Sequence, residues 1–254
     1  MASPLRRPLL AGNWKMNLTV AQSVELAKAV AAGAGSASGE VAVCVPFTAM
    51  TVVGEILQGT PVRLGAQNCH WEASGAYTGE ISVGQLADAG CSMVIVGHSE
   101  RRKLFGETDE QVNKKLGAAL RGGLTPIVCV GETADERETQ KTWRVLETQI
   151  AGGLNGLSPA DLAKVVVAYE PVWAIGTGVT ASPAQAQEAH LFIRSSLKKV
   201  AGDGFAAGCR ILYGGSVTAE NVDNLMSQAD VDGALVGGAS LKKDFLRIMG
   251  FQKA

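Results

Sequence analysis

Eight short apolar, β-rich runs alternate with longer stretches of helical spacing along the whole chain, and this alternation constrains the fold more than any other feature. The runs lie near Leu9–Lys15, Val41–Phe47, Val62–Asn68, Met93–His98, Pro126–Gly131, Val165–Glu170, Arg210–Gly214 and Ala234–Gly237. Most are almost continuously apolar, as expected of parallel strands covered on both faces. The segments between them, such as Ala21–Ala31, Asp109–Arg121 and Pro183–Val200, carry apolar residues at helical intervals. Eight strand–helix units without interruption predict a closed parallel (β/α)8 barrel rather than an open sheet. No linker, low-complexity block or shift in composition divides the chain, so residues 1–254 read as one barrel domain. The Gly33–Gly39 stretch reads as a helix-to-strand turn.

Composition narrows the function classes. Hydrophobic residues make up 46% of the chain, enough for a large core. Lys and Arg number 23 against 24 Asp and Glu, which gives no basic field for nucleic acid and no polybasic strip for a membrane. No apolar run approaches the roughly 20 residues of a membrane span. The first residues lack the apolar core of a secretory leader. Five widely spaced cysteines, Cys44, Cys69, Cys91, Cys129 and Cys209, form no C-x-x-C pair. They predict buried thiols in a cytoplasmic protein, with no disulfide framework and no metal site.

Unusual chemistry crowds the C-terminal ends of the predicted strands, the face on which parallel barrels build active sites. Two Gly-Gly turns, Gly214-Gly215-Ser216 and Gly237-Gly238-Ala239-Ser240, follow the last two strands. Glycine lets backbone N–H groups approach an anion, and paired turns at these two places predict a phosphate site. Glu170 ends an apolar run and precedes Pro171, so it either points into the mouth as a general base or forms a buried ion pair. His98 precedes Ser99-Glu100-Arg101-Arg102, a capped helix start. A helix N-terminus disfavours imidazolium, which leaves a neutral hydrogen-bond donor or a satisfied core histidine. His70 and His190, in a loop and a helix, have no comparable setting.

Period-2 alternation predicts that Asn13 and Lys15 share the inward face of the first strand, where a lysine needs an anionic partner. Pro171 to Ser182 reads as a long apolar loop with two glycines that ends at Ser182-Pro183, a good helix start. Beside a candidate base, it reads as a lid. Gly176 to Ala181 also fits G-x-G-x-x-A, but a dinucleotide site needs its glycines directly between strand and helix.

These motifs together resemble triosephosphate isomerase. The resemblance is carried by Asn13-Trp14-Lys15-Met16-Asn17, by Val96 to Arg102, by Ala168 to Gly178, and by Tyr213 to Ser216 and Gly237 to Ser240. It runs in order from about Pro8 to Leu246. It implies a cofactor-free and metal-free isomerase that interconverts D-glyceraldehyde 3-phosphate and dihydroxyacetone phosphate through an enediolate. It implies Glu170 as the base, His98 as the neutral electrophile, Lys15 as the charge stabiliser and Asn13 as an aid at the substrate oxygen. Glu100 would hold Lys15, Ser99 would hold Glu170, and Tyr213 would support the site. The phosphate would be bound by the amides of Gly176, Ser216, Gly237 and Gly238. The resemblance also implies a homodimer, with the Gln67–Ile81 loop, including Tyr77 and Thr78, inserted into the partner to brace Asn13 and Lys15. Two other readings stand beside this one: an aldolase-like barrel that uses Lys15 as a Schiff-base amine, and a silent barrel that serves as a scaffold.

Overall fold

The computed structural model describes residues 6–175 and 180–253. The eight runs form β1 (Leu9–Asn13), β2 (Glu40–Val45), β3 (Val62–Ala66), β4 (Met93–Val96), β5 (Thr125–Val130), β6 (Val166–Tyr169), β7 (Arg210–Tyr213) and β8 (Gly233–Val236). Each pairs in parallel with the next, and β8 pairs with β1 to close the barrel. Helices connect successive strands and cover the outer face of the sheet, while its inner face packs on itself inside the barrel. Threonine or serine with glutamine or glutamate three residues on opens many of them, as in Thr19/Gln22, Ser82/Gln85, Thr108/Gln111, Thr133/Glu136 and Ser182/Gln185. In each, the side chains satisfy orphan amides at the helix start reciprocally. The Pro183–Gly208 helix is interrupted at Gly202 (φ 84°), two residues past the predicted end at Val200.

Alternation inside the apolar runs separates two cores. Leu9, Ala11, Ala42, Cys44, Met93, Ile95, Ile127, Cys129, Val166, Ala168, Leu212 and Leu235 fill the barrel interior. Their strand neighbours, among them Leu10, Val43, Val94, Val128, Val167 and Val236, pack outward against the helices. The bottom of the barrel is closed by ions: Glu40 binds Arg63 at 2.7 Å and Arg210 at 2.6 Å.

Each predicted strand runs one or two residues too far at its C-terminal end. The ladder stops at Asn13, Val45, Ala66, Val96, Val130, Tyr169, Tyr213 and Val236. The residues beyond these ends leave the sheet and turn across the mouth. This corrects the placement of Lys15. It does not share the inward face with Asn13 by simple alternation, because β1 has ended and Lys15 is left-handed, with φ 51°. That conformation costs a non-glycine residue roughly 1–2 kcal/mol.

The five cysteines are free and buried, as expected. Burial pushes the Cys44, Cys69, Cys91 and Cys209 thiols up to about 12. Such thiols are unreactive at neutral pH.

His190 is fully buried on the Pro183–Gly208 helix, with Nδ1 3.1 Å from the Asp230 carbonyl oxygen. Burial pushes its imidazole down to about 4, against 6.5 in a free side chain. The unfolded chain therefore takes up this proton at a higher pH than the folded one. The stability contributed by neutral His190 is complete above pH 6.5 and falls as the pH drops toward 4, by about 3 kcal/mol in all. Urea unfolding at pH 7 and pH 5, at one protein concentration, checks this. The native protein should lose more stability than a His190→Gln variant, and equal losses would refute it.

Candidate active site

The parity of the barrel aims two of the predicted groups inward. Asn13 continues the inward series of Leu9 and Ala11, and Glu170 continues that of Val166 and Ala168. His98 is different. It continues the outward series of Val94 and Val96 and would face the helices if β4 ran on. Gly97 prevents this, because its φ of 70° breaks the alternation and returns the next side chain to the mouth. Arg102 Nε donates to the Gly97 carbonyl at 2.9 Å, and the Gly97 N–H donates to Glu107 Oε1 at 3.1 Å.

Around Glu170 three donors converge. The Ser99 N–H and hydroxyl each donate to its carboxylate at 2.9 Å, and His98 Nε2 lies 3.0 Å from Oε1. Glu170 is only 2% exposed, so these contacts compensate a charge taken out of water. His98 caps the Ser99–Phe105 helix, and its Nδ1 accepts from the Glu100 N–H at 3.2 Å. An accepting ring nitrogen carries no proton, so the imidazole is neutral with its hydrogen on Nε2. Lys15 Nζ meets Glu100 Oε1 at 2.6 Å. Asn13 Oδ1 accepts from the Lys15 N–H at 3.1 Å, which leaves the Asn13 amide nitrogen as the group to meet a ligand oxygen.

These side chains line one cavity of about 780 Å³ at the C-terminal mouth. Gly214, Gly215, Ser216, Gly237 and Gly238 form its far wall. The first Gly-Gly turn is also a packing device. A Cβ on Gly214 would lie 3.0 Å from Glu170 Cγ, and one on Gly215 2.3 Å from the Tyr213 hydroxyl oxygen. Gly238 has no such reason to be glycine, since no atom lies within 4 Å of where its Cβ would stand. It opens a short 3₁₀ turn, Gly238–Leu241, whose first amides have no partner within the turn. Tyr213 is buried behind the wall and does not reach the cavity. Val172, Ala174 and Ile175 begin the apolar loop on the rim, whereas the predicted phosphate ligand Gly176 lies outside the described residues. Tyr77 and Thr78 are not brought to this cavity. They sit at the exposed tip of the Gln67–Ile81 loop, in a turn closed by the Glu80 N–H on the Tyr77 carbonyl.

A buried carboxylate, an imidazole N–H and an ammonium thus line one cavity with two glycine turns, an arrangement suited to proton abstraction beside a carbonyl on an anionic substrate. Among the described residues no cluster of His, Cys, Asp and Glu is arranged to hold a metal.

Comparison with known proteins agrees with this geometry. A family profile described as triosephosphate isomerase matches residues 8–252. The chain belongs to the triosephosphate isomerase family. The triosephosphate isomerase of Geotalea uraniireducens is 54% identical over 251 residues, covering 98% of this chain and 100% of that one. The triosephosphate isomerase of Magnetococcus marinus is 56% identical over 251 residues, covering 96% and 98%. A crystal structure of triosephosphate isomerase from Bartonella henselae superposes with a TM-score of 0.86 at 45% identity, over 95% of this chain and 97% of that one.

Several residues of this family member escaped the sequence reading. Gly131 follows β5 where a Cβ would lie 1.8 Å from the Glu170 carbonyl oxygen, so nothing larger lets β6 deliver its carboxylate. Glu107 holds the Gly97 turn and is itself held by Arg101 at 2.6 Å and Lys115 at 3.0 Å. Burial pushes Glu107 up, but the Lys115 ammonium and Arg101 guanidinium outweigh it and keep the carboxyl below its usual range. A signal for this cluster was present. Lys115 sits on the buried face of its helix with Val112, Leu116 and Ala119, where a cation needs a partner.

Proposed function

We propose that this barrel interconverts D-glyceraldehyde 3-phosphate and dihydroxyacetone phosphate by proton transfer through an enediolate. The observation that carries the reading is the convergence of Glu170, His98 and Lys15 on one cavity whose far wall is two Gly-Gly turns. Family membership supports the same isomerase activity. In this reading Glu170 leaves Ser99, takes a proton from the carbon beside the carbonyl, and returns it to the neighbouring carbon. The electron pair of the broken C–H bond becomes the enediolate double bond, and the carbonyl oxygen gains the negative charge. His98 hydrogen-bonds through Nε2 to the charged oxygen, gives it that hydrogen and takes the hydroxyl hydrogen of the neighbouring oxygen in exchange, so the ring ends neutral again, and Lys15 and Asn13 offset the oxygen charge. The amides of Ser216, Gly237 and Gly238 hold the phosphate, with Gly176 as a further ligand on the strength of the sequence resemblance. Apolar Val172 and Ile175 on the rim fit a loop that keeps water from the intermediate.

An assay coupled to consumption of either product, run in both directions, tests the activity. Borohydride added with substrate should trap no adduct, because isomerisation forms no imine; irreversible labelling of Lys15 would favour the aldolase reading instead.

The homodimer belongs to the same proposal. Residues of the 67–81 loop from Glu72 to Glu80 are exposed in the single chain, as are Met16 (97%), Phe47 (42%) and Tyr77 (44%). His70 stacks on Trp71 and packs at a tilt against Tyr77, each at 4.3 Å between ring centroids, so the loop is ordered in a form that can dock. Thr78→Arg should shift the protein toward monomer and lower activity with it, since the new charge would be desolvated in the interface. Light scattering and assay at matched concentration check this, and a fully active monomer would overturn it. The buried free thiols fit a reducing compartment, and we place the enzyme in the cytoplasm.

A further inference from the structure

We propose that Gln67 is a positioning residue for the isomerisation, one whose side-chain amide holds the left-handed turn that aims Lys15 into the cavity. The inference rests on the reading of Lys15 as the charge-stabilising group. Lys15 has φ 51°, a conformation that a side-chain-bearing residue keeps only when its surroundings impose it. One constraint is on its nitrogen, whose N–H donates to Asn13 Oδ1 at 3.1 Å. The other is on its carbonyl, which accepts from Gln67 Nε2 at 2.9 Å. The same nitrogen donates its second hydrogen to the Cys44 carbonyl at 3.0 Å, at the end of the ladder of β2. Cys44 also accepts the Trp14 N–H at 3.0 Å.

Gln67 therefore ties the turn after β1 to the rigid end of β2 from the first position beyond β3. The chemistry fixes its orientation. Two carbonyl oxygens face the side chain, and only the amide NH₂ can meet both. A carboxylate there has no hydrogen to give, and an apolar side chain would leave both carbonyls without this donor.

Gln67 is half-buried and is not among the residues that line the cavity, so it acts on the reaction only through Lys15. Lys15 Nζ in turn lies beside the phosphate wall: a Cβ on Gly237 would stand 3.9 Å from it. If the carbonyl is released, the backbone can relax toward an ordinary φ and swing the ammonium away from that wall. A misplacement of about 1 Å in a catalytic group can cost on the order of 100-fold in rate.

The test is a double-mutant cycle. Gln67→Leu should lower kcat/KM by roughly 10- to 100-fold, and inhibition by inorganic phosphate should weaken. Gln67→Met, unbranched and also without a donor, should behave alike and serves if the leucine variant does not fold; circular dichroism and thermal melting establish which variants are folded. In a Lys15→Ala background the same Gln67 change should alter kcat/KM less than about twofold, because the group it aims is gone. An equal loss in both backgrounds would make Gln67 merely structural and overturn the proposal. A loss under tenfold from Lys15→Ala alone would instead defeat the reading of Lys15 on which the proposal rests.

Discussion

Replacing Glu170 with glutamine is expected to lower kcat by roughly 10²–10⁴-fold while leaving KM and inhibition by inorganic phosphate within a few-fold of native. The substitution keeps the shape of the side chain. Its carbonyl oxygen can still accept from the Ser99 N–H and its nitrogen can donate to the Ser99 hydroxyl, so only the contact with the His98 N–H is lost. What it loses is the basic lone pair, since an amide does not take a proton near neutral pH. The glycine wall proposed to hold the phosphate follows β7 and β8 and does not depend on that lone pair. Steady-state kinetics with a phosphate inhibition series separate the two effects. A kcat loss under tenfold would mean that another group is the base. A large loss of phosphate affinity with it would mean that Glu170 is a structural member of the mouth. Unchanged thermal melting would exclude misfolding as the cause.

Lys15→Ala is expected to have a large effect of a different kind. Removing one preorganised donor from a developing oxyanion costs roughly 10²–10³-fold, and an ammonium facing both enediolate and phosphate should cost at least that much. In the proposed mechanism the charge faces the phosphate in the ground state as well, so KM should rise while kcat falls, in contrast with Glu170→Gln. Stability should change little. Glu100, the partner left behind, is 44% exposed and regains water, and Lys15 itself is 29% exposed. Alanine inherits the left-handed backbone, so no strain is relieved. Steady-state kinetics at several salt concentrations check the assignment, since the native enzyme should lose more kcat/KM to added salt than the variant. A variant that keeps kcat and changes only KM would show that Lys15 binds phosphate without stabilising the intermediate.

The contrast between these two residues marks how far the chain could be read without coordinates. Glu170 was legible because it extends an apolar run in phase: every second residue of β6 points inward, and the acid takes the next inward place. Lys15 was singled out correctly as an inward-facing cation, but for a reason the structure does not bear out. Its direction comes from a left-handed turn held by Asn13 and Gln67. His98 was recognised by its position before a capped helix, yet by strand parity it belongs on the other face of the sheet. Gly97 corrects that, and a glycine in the sequence does not announce the sign of its φ.

Local physics accounts for what the sequence determined by itself. Apolar runs that become strands of four to six residues, helical intervals between them, and serine or threonine caps are properties of neighbours in the chain. They lead to eight strand–helix units, a closed barrel and a chemical face at the C-terminal strand ends. Residue types after those ends, read with the resemblance, led to the base, the imidazole, the ammonium and the glycine wall. The tertiary structure alone decided which groups touch. Ser99 meets Glu170 across 71 residues of sequence, Glu100 meets Lys15 across 85, and Gln67 reaches Lys15 across 52. No local preference encodes such pairs. They exist because barrel closure brings the ends of different strands within hydrogen-bond range, where each buried charge and each strained turn must find its partner.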